Sequence, residues 1–109
     1  MIRAIGIDAV EVTRIEQAMQ NPRFIPRILT EKERAEIRTP IRIAGRWAAK
    51  EAIYKCLPHL NQWHAIEILS SPSGQPIPSV DLPPGTKLHL TITHEKNVAI
   101  AVAILESND

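Results

Sequence analysis

The run Arg42-Ile43-Ala44-Gly45-Arg46-Trp47-Ala48-Ala49-Lys50-Glu51-Ala52-Ile53-Tyr54-Lys55-Cys56-Leu57 has no proline and stops against Pro58, which reads as one long helix. At about 100° per residue, Ala44, Ala48, Glu51 and Lys55 share one narrow stripe, flanked by Trp47 and Tyr54. Gly45, Ala49, Ala52, Ile53 and Cys56 make a second side that is small and apolar, and small residues let a helix approach a sheet closely. Glu51 and Lys55 therefore point away from the core. An exposed glutamate–lysine pair at i, i+4 is ordinary and worth about 0.2–0.5 kcal/mol. Here Ala44 and Ala48 are expected to leave open space in front of the two charges, as a ligand groove requires.

Working outward, Pro40 disfavours helical geometry at Thr39, so the preceding helix is expected to end near Arg38. That helix starts after Thr30, where Thr30-Glu31-Lys32-Glu33 has the capping-box pattern. Earlier still, Ile2 to Asp8 reads as a short strand with Asp8 at its end. A first helix over Glu11 to Gln20 follows, broken by Asn21-Pro22. Beyond Pro58 the period changes to two, giving three strands: Ala65 to Leu69, then Leu88, Leu90 and Ile92 alternating with His89, Thr91 and Thr93, then Val98 to Leu105. Ser71-Pro72-Ser73-Gly74 and Leu82-Pro83-Pro84-Gly85 are turn chemistry, and His94 to Asn97 is short enough for a hairpin. The acidic end, Glu106 to Asp109, is expected to be a frayed tail. The resulting fold class is α+β, a mostly antiparallel sheet packed against helices, with residues 1–109 as a single domain.

A formal net charge of +1 gives no overall field that would select nucleic acid or membrane. Basic charge is instead local, in Arg14, Arg23 and Arg27. One cysteine, Cys56, makes no internal disulfide, and no apolar N-terminal stretch reads as a signal or span, so a cytoplasmic protein is expected. Asp8 and Glu51 are hard oxygen ligands suited to sharing a magnesium ion, which typically takes one or two carboxylates, although spacing alone leaves open whether they meet. Three competing readings are weaker. A zinc site from Cys56, His59 and His64 has only three ligands and is interrupted by Pro58. A non-catalytic module binding an acidic protein or RNA through the arginines would need neither acid, and Phe24, Trp47, Tyr54 and Trp63 are scattered across elements. A magnesium-dependent phosphohydrolase would use the same two acids.

Four segments in order carry a closer likeness. They are Gly6-Ile7-Asp8 with Glu11-Val12 and Arg14-Ile15; Arg23-Phe24 with Arg27-Ile28-Leu29-Thr30 and Glu33; Ala44 to Ala52 with Lys55; and Leu90-Thr91-Ile92-Thr93-His94 with the alanine-alternating strand after it. Together, over nearly the full length, they resemble the bacterial holo-acyl-carrier-protein synthase family of 4'-phosphopantetheinyl transferases, with Trp47 where that family usually has phenylalanine. The resemblance implies transfer of 4'-phosphopantetheine from coenzyme A to a serine of acyl carrier protein, in fatty acid biosynthesis. It implies Asp8 and Glu51 as magnesium ligands, Glu51 and Lys55 as catalytic residues, and Arg46, Lys50, Lys55, Thr93 and His94 as coenzyme A contacts. It also implies Arg14, Arg23, Phe24 and Arg27 as the surface for the carrier, and a homotrimer with clefts between neighbours. For the serine proton the candidate acceptors are Glu51, a water on the metal and bulk solvent, and Glu51 acting through such a water ranks first. Two departures stand out: Cys56 to Asn61 replaces a glycine-containing turn, and the stretch from Glu33 to Arg46 is short, which is expected to clip the second helix and reshape the adenine end of the groove.

Overall fold

A computed structural model describes residues 1–108. In chain order the elements are β1 (Ile2–Glu11), α1 (Val12–Ala18), α2 (Phe24–Ile28), α3 (Glu31–Glu36), α4 (Pro40–Cys56), a 3-10 turn (Trp63–Ala65), β2 (Glu67–Ser70), β3 (Pro76–Ser79), β4 (Thr86–Glu95) and β5 (Val98–Ser107). β1, β5 and β4 form one antiparallel sheet in that order, and β2 and β3 form a separate antiparallel hairpin. α4 lies across the sheet against β1 and β5, with α1 packed beside it. None of these helices is long and apolar enough to cross a membrane.

The alternation in β5 explains how α4 sits so close. Ala99, Ala101 and Ala103 face the helix and are buried, while Ile100, Val102 and Ile104 face the other way. Small strand residues thus meet the small helix residues Ala49, Ala52 and Cys56. In β1 the tight point is Gly6: a Cβ there would collide with the Ala52 carbonyl oxygen and approach Lys55 Cβ at 3.1 Å. Only a residue without a side chain fits that contact.

The structure corrects several expectations. Asp8 is inside β1 rather than at its end, paired with Ala101, because Ala9 and Val10 continue the alternation and Glu11 still pairs with Val98. α1 consequently starts at Val12. α2 was not anticipated, and α3 ends at Glu36 rather than near Arg38, since Ile37 turns extended and goes into the core at 3 % exposure. α4 begins at Pro40 itself, where a missing N–H costs nothing. β3 escapes the pattern because it contains Pro76 and Pro78, which an edge strand tolerates. The frayed tail is also wrong through Asn108: Ser107 N–H donates to Met1 at 2.8 Å and Asn108 N–H to Gly85 at 3.0 Å, while Asp109 lies outside the described residues. Ala44 and Ala48, expected to front an open groove, are fully buried within the core cluster, so only the C-terminal half of that helical stripe reaches the surface. The capping box stands: Glu33 N–H donates to Thr30 Oγ1 at 3.2 Å, and Thr30 N–H to Glu33 Oε1 at 2.8 Å.

Gly6→Ala tests the contact between strand and helix. With nowhere for the methyl to go, α4 must lift from β1, and overpacking of this kind costs about 1–3 kcal/mol or more. The expected result is a clear fall in Tm by calorimetry, larger than for Gly74→Ala in the exposed β2–β3 turn.

Candidate active site

The β1 register puts Asp8 on the same face as Gly6 and Val10, beneath α4. Because Gly6 lets α4 descend, Lys55 reaches the strand: its Nζ donates to the Ile7 carbonyl at 2.6 Å and stands 3.6 Å from Asp8 Oδ1. Glu51, one turn earlier, is half-buried. Burial pushes its carboxyl up from the ordinary glutamate value, the nearby Asp8 charge pushes it further, and Lys55 and Arg14 oppose both. Asp8 and Lys55, predicted together with Glu51, therefore both bear on the Glu51 carboxyl, from opposite directions.

Two carboxylates crowded so that one is raised form a place where a divalent cation relieves like-charge repulsion. Among the described residues no group of three or more His, Cys, Asp and Glu side chains assembles, so the donor set is two hard oxygens with the rest of the shell left to water or a ligand. Two carboxylates with water completing the shell match what magnesium usually takes, and they lack the nitrogen and sulfur donors usual at zinc. The zinc alternative fails on geometry as well: Cys56 Sγ is buried and donates toward the Ala103 carbonyl at 3.5 Å, and His64 Nε2 is engaged with the Pro26 carbonyl at 2.8 Å.

Beside Glu51 lies a groove of about 390 Å³, lined by Glu51, Tyr54, Asn61 and Trp63. Trp63 and Asn61 belong to the segment after α4, where the sequence carries no periodic signal, and neither was anticipated as a site residue. Trp63 joins a row of rings: Tyr54 to Trp63 at 5.0 Å edge-on, Trp63 to Trp47 at 4.9 Å, and Trp47 to Phe24 at 5.4 Å. Such contacts add about 0.5–1.5 kcal/mol each beyond area burial. The row also leads from the acid pair to the arginines. Phe24 shares a groove of about 280 Å³ with Arg23, Arg27, Gln17 and Asn21, and an adjoining cleft with Arg14 and Trp47. The three arginines expected to meet a partner thus surround the ring of the fourth such residue, Phe24.

Arg46 and His94 come together in a further groove of about 180 Å³, with Arg42 and Ser70. Arg46 Nη2 donates to Ser70 Oγ at 2.9 Å and lies 3.4 Å from Glu36, yet its buried Nε has no acceptor among the described residues. A buried donor without a partner points to an anionic or carbonyl ligand there. Arg46 and Glu51 leave α4 roughly 140° apart, so the two grooves open on different sides of the helix.

Two of the predicted coenzyme A contacts lie away from the Arg46 groove. Thr93 is exposed on the sheet face opposite Ile92 and His94, because successive strand residues alternate, and it does not line the Arg46 groove. Lys50 does not face a groove at all: it is fully buried, with its ammonium hydrogens directed at Ile28, Glu33 and Trp63.

Residues 4–103 match the profile of the 4'-phosphopantetheinyl transferase superfamily. A holo-[acyl-carrier-protein] synthase of Halalkalibacterium halodurans is 40 % identical, the alignment covering 97 % of each chain. One from Solidesulfovibrio magneticus is 41 % identical, covering 97 % of this chain and 99 % of that one. Among solved structures, a holo-(acyl-carrier-protein) synthase from Bacillus anthracis in complex with CoA (3',5'-ADP) superposes with a TM-score of 0.88 at 36 % identity over 99 % of both chains. The Helicobacter pylori holo-[acyl-carrier-protein] synthase in complex with coenzyme A gives 0.83 at 28 %, over 94 % of this chain and 99 % of that one. With the profile spanning almost every described residue and the fold shared from end to end, this chain belongs to the 4'-phosphopantetheinyl transferase superfamily.

Proposed function

We propose that this chain, acting as one transferase domain, performs the reaction for which its relatives are named. It moves the 4'-phosphopantetheine group of coenzyme A onto a serine of apo acyl carrier protein and releases adenosine 3',5'-bisphosphate, in fatty acid biosynthesis. The observation that carries this reading is the placement of Asp8 beside Lys55 under α4, with the Glu51 carboxyl raised by burial and then by Asp8 at the mouth of an aromatic-walled groove. Asp8 and Glu51 would hold magnesium, which when bound supplies Lewis-acid stabilisation of charge on the diphosphate oxygens. Lys55 Nζ, half-exposed beside Asp8, donates to the transferred phosphoryl group as charge builds on it. Glu51, at the mouth of the groove, is the acceptor for the serine proton, through a water between them.

The Arg46 groove takes the nucleotide end of coenzyme A: Arg42, Arg46 and His94 offer donors to phosphate, and the free Nε of Arg46 supplies one more. Since that groove opens away from Glu51, a neighbouring copy is what brings the two onto one ligand. The sheet supports this assembly. Ile5 (64 % exposed) and Ile7 (57 %) pair across to Ile104 and Val102 on the face turned from α4, an apolar surface with no layer of the described residues against it. We assign that face to contacts in a homotrimer. A single buried free thiol, Cys56, suits the reducing cytoplasm.

The reaction is tested by whether adenosine 3',5'-bisphosphate appears only when an apo carrier is present; release from coenzyme A and water alone would make the chain a hydrolase. In the same assay Asp8→Asn and Glu51→Gln are each expected to lower kcat by two or more orders of magnitude with Tm nearly unchanged, and near-normal turnover of either at saturating magnesium would remove the two-carboxylate site.

Assembly is read by light scattering at micromolar concentration, where a trimer is expected and Ile7→Glu should yield monomers with little activity. A wild-type monomer at full activity would end the shared-cleft arrangement.

Arg14, Arg23 and Arg27 with Phe24 form the docking surface for an acidic carrier, guanidinium groups being suited to carboxylates. Arg14→Glu is expected to raise the KM for carrier about 10-fold or more with little change for coenzyme A, by an amount that shrinks with added salt. A loss of coenzyme A affinity alone would move this surface to the cofactor phosphates.

A further inference from the structure

Lys50 and Glu33 form an ion pair of 2.7 Å whose side chains are 1 % and 0 % exposed. Every hydrogen of the ammonium is used: Nζ donates to Glu33 Oε1 and the Ile28 carbonyl, both at 2.7 Å, and to the Trp63 carbonyl at 3.2 Å. Glu33 is as fully engaged. Its Oε1 also accepts from Thr30 N–H at 2.8 Å, and its Oε2 accepts from Ile68 N–H at 2.8 Å. Five segments converge on one pair of charges: the end of α2, the start of α3, the middle of α4, the Trp63–Ala65 turn and β2.

Such a pair is a poor device for stability alone. Desolvating two ions costs several kcal/mol, and apolar replacements of similar volume are often as stable or more so. What the pair does achieve is register. α2 carries Phe24 and Arg27, the turn carries Trp63 as a wall of the groove beside Glu51, and Lys50 is the immediate neighbour of Glu51 on α4. A second tether links two of these segments, since His64 in the turn bonds the Pro26 carbonyl in α2.

We propose that the Lys50–Glu33 pair is a positioning element for phosphopantetheine transfer, holding the Trp63 wall and the docking helix α2 in fixed register with Glu51. This rests on the functional reading above. Lys50 and Glu33 touch no substrate; they act through Trp63 and α2. A docked serine is delivered to the groove at a set distance because the surface that grips its carrier and the wall beside the acids are bound to the same ammonium.

The test uses the full chain with Trp47→Phe, so that Trp63 is the only tryptophan, and adds Lys50→Met/Glu33→Gln. The expected result is cooperative thermal unfolding, an unchanged KM for coenzyme A, and a kcat/KM for apo acyl carrier protein reduced about 10–100-fold, the scale of a misplacement near 1 Å. Acrylamide quenching of Trp63 should rise alongside. A folded variant with unchanged quenching and full carrier kcat/KM overturns the proposal. So does one in which both substrates lose equally. If the double variant does not unfold cooperatively, the decision passes to His64→Ala, whose exposed side chain can be removed without opening the core: a few-fold loss confined to carrier kcat/KM, with raised quenching, supports the register, and no change in either overturns it. A parent chain that transfers nothing to carrier defeats the functional reading itself, whereas an active parent beside a fully active variant defeats only the positioning role.

Discussion

The closeness of β1 to α4 is the constraint on which the rest of the structure depends. At Gly6 the strand meets the Ala52 carbonyl with no room for a side chain, and that contact sets the height of the helix above the sheet. Two residues along the strand and one residue back along the helix stand Asp8 and Glu51. Their coupling and the reach of Lys55 to the Ile7 carbonyl follow from the same separation. The alanines of β5 extend the close approach across the sheet, so the acid pair is held by packing between regular elements rather than by loops.

Around that rigid centre the polar features divide by burial. Lys50 and Glu33 are satisfied internally and belong to the framework, whereas Arg46 is buried with its Nε unpaired among the described residues, at the edge of a groove. The two look alike in sequence, as basic residues four apart on one helix. What separates them is the environment at each position: Lys50 points at carbonyls from α2 and the Trp63 turn, while Arg46 points at a groove shared with His94. The row of rings from Phe24 to Tyr54 crosses between the basic surface and the acids, and it is a wall rather than a core, since all four rings are only partly buried.

Elements set by local chemistry were legible in the sequence. The capping box at Thr30 and Glu33, the uninterrupted helix before Pro58 and the period-two runs of β4 and β5 all have nearest-neighbour causes. Asp8 and Glu51 could be nominated as hard ligands, but only the depth of α4 over Gly6 shows that Glu51 lies within the field of Asp8. Burial depending on distant segments was not legible. Lysine is almost never fully buried, so Lys50 reads as surface until Glu33, far away in the chain, is seen to face it. Ala44 and Ala48 fail for the same reason, because a helical wheel shows direction and not what stands there. Strand parity separates Thr93 from the Arg46 groove: the motif puts it next to His94, and the pleat sends the two to opposite faces.

The alternation of β5 has one more consequence. Putting alanines inward consigned Ile100, Val102 and Ile104, with Ile5 and Ile7 beside them, to the open side of the sheet. A freshly folded chain therefore emerges with a broad, flat, β-branched surface bare to water, the kind of surface on which misassembly begins. Close helix packing has been obtained by exporting apolar bulk, so the alternation that seats α4 is also what loads the opposite face of the sheet with hydrophobic area.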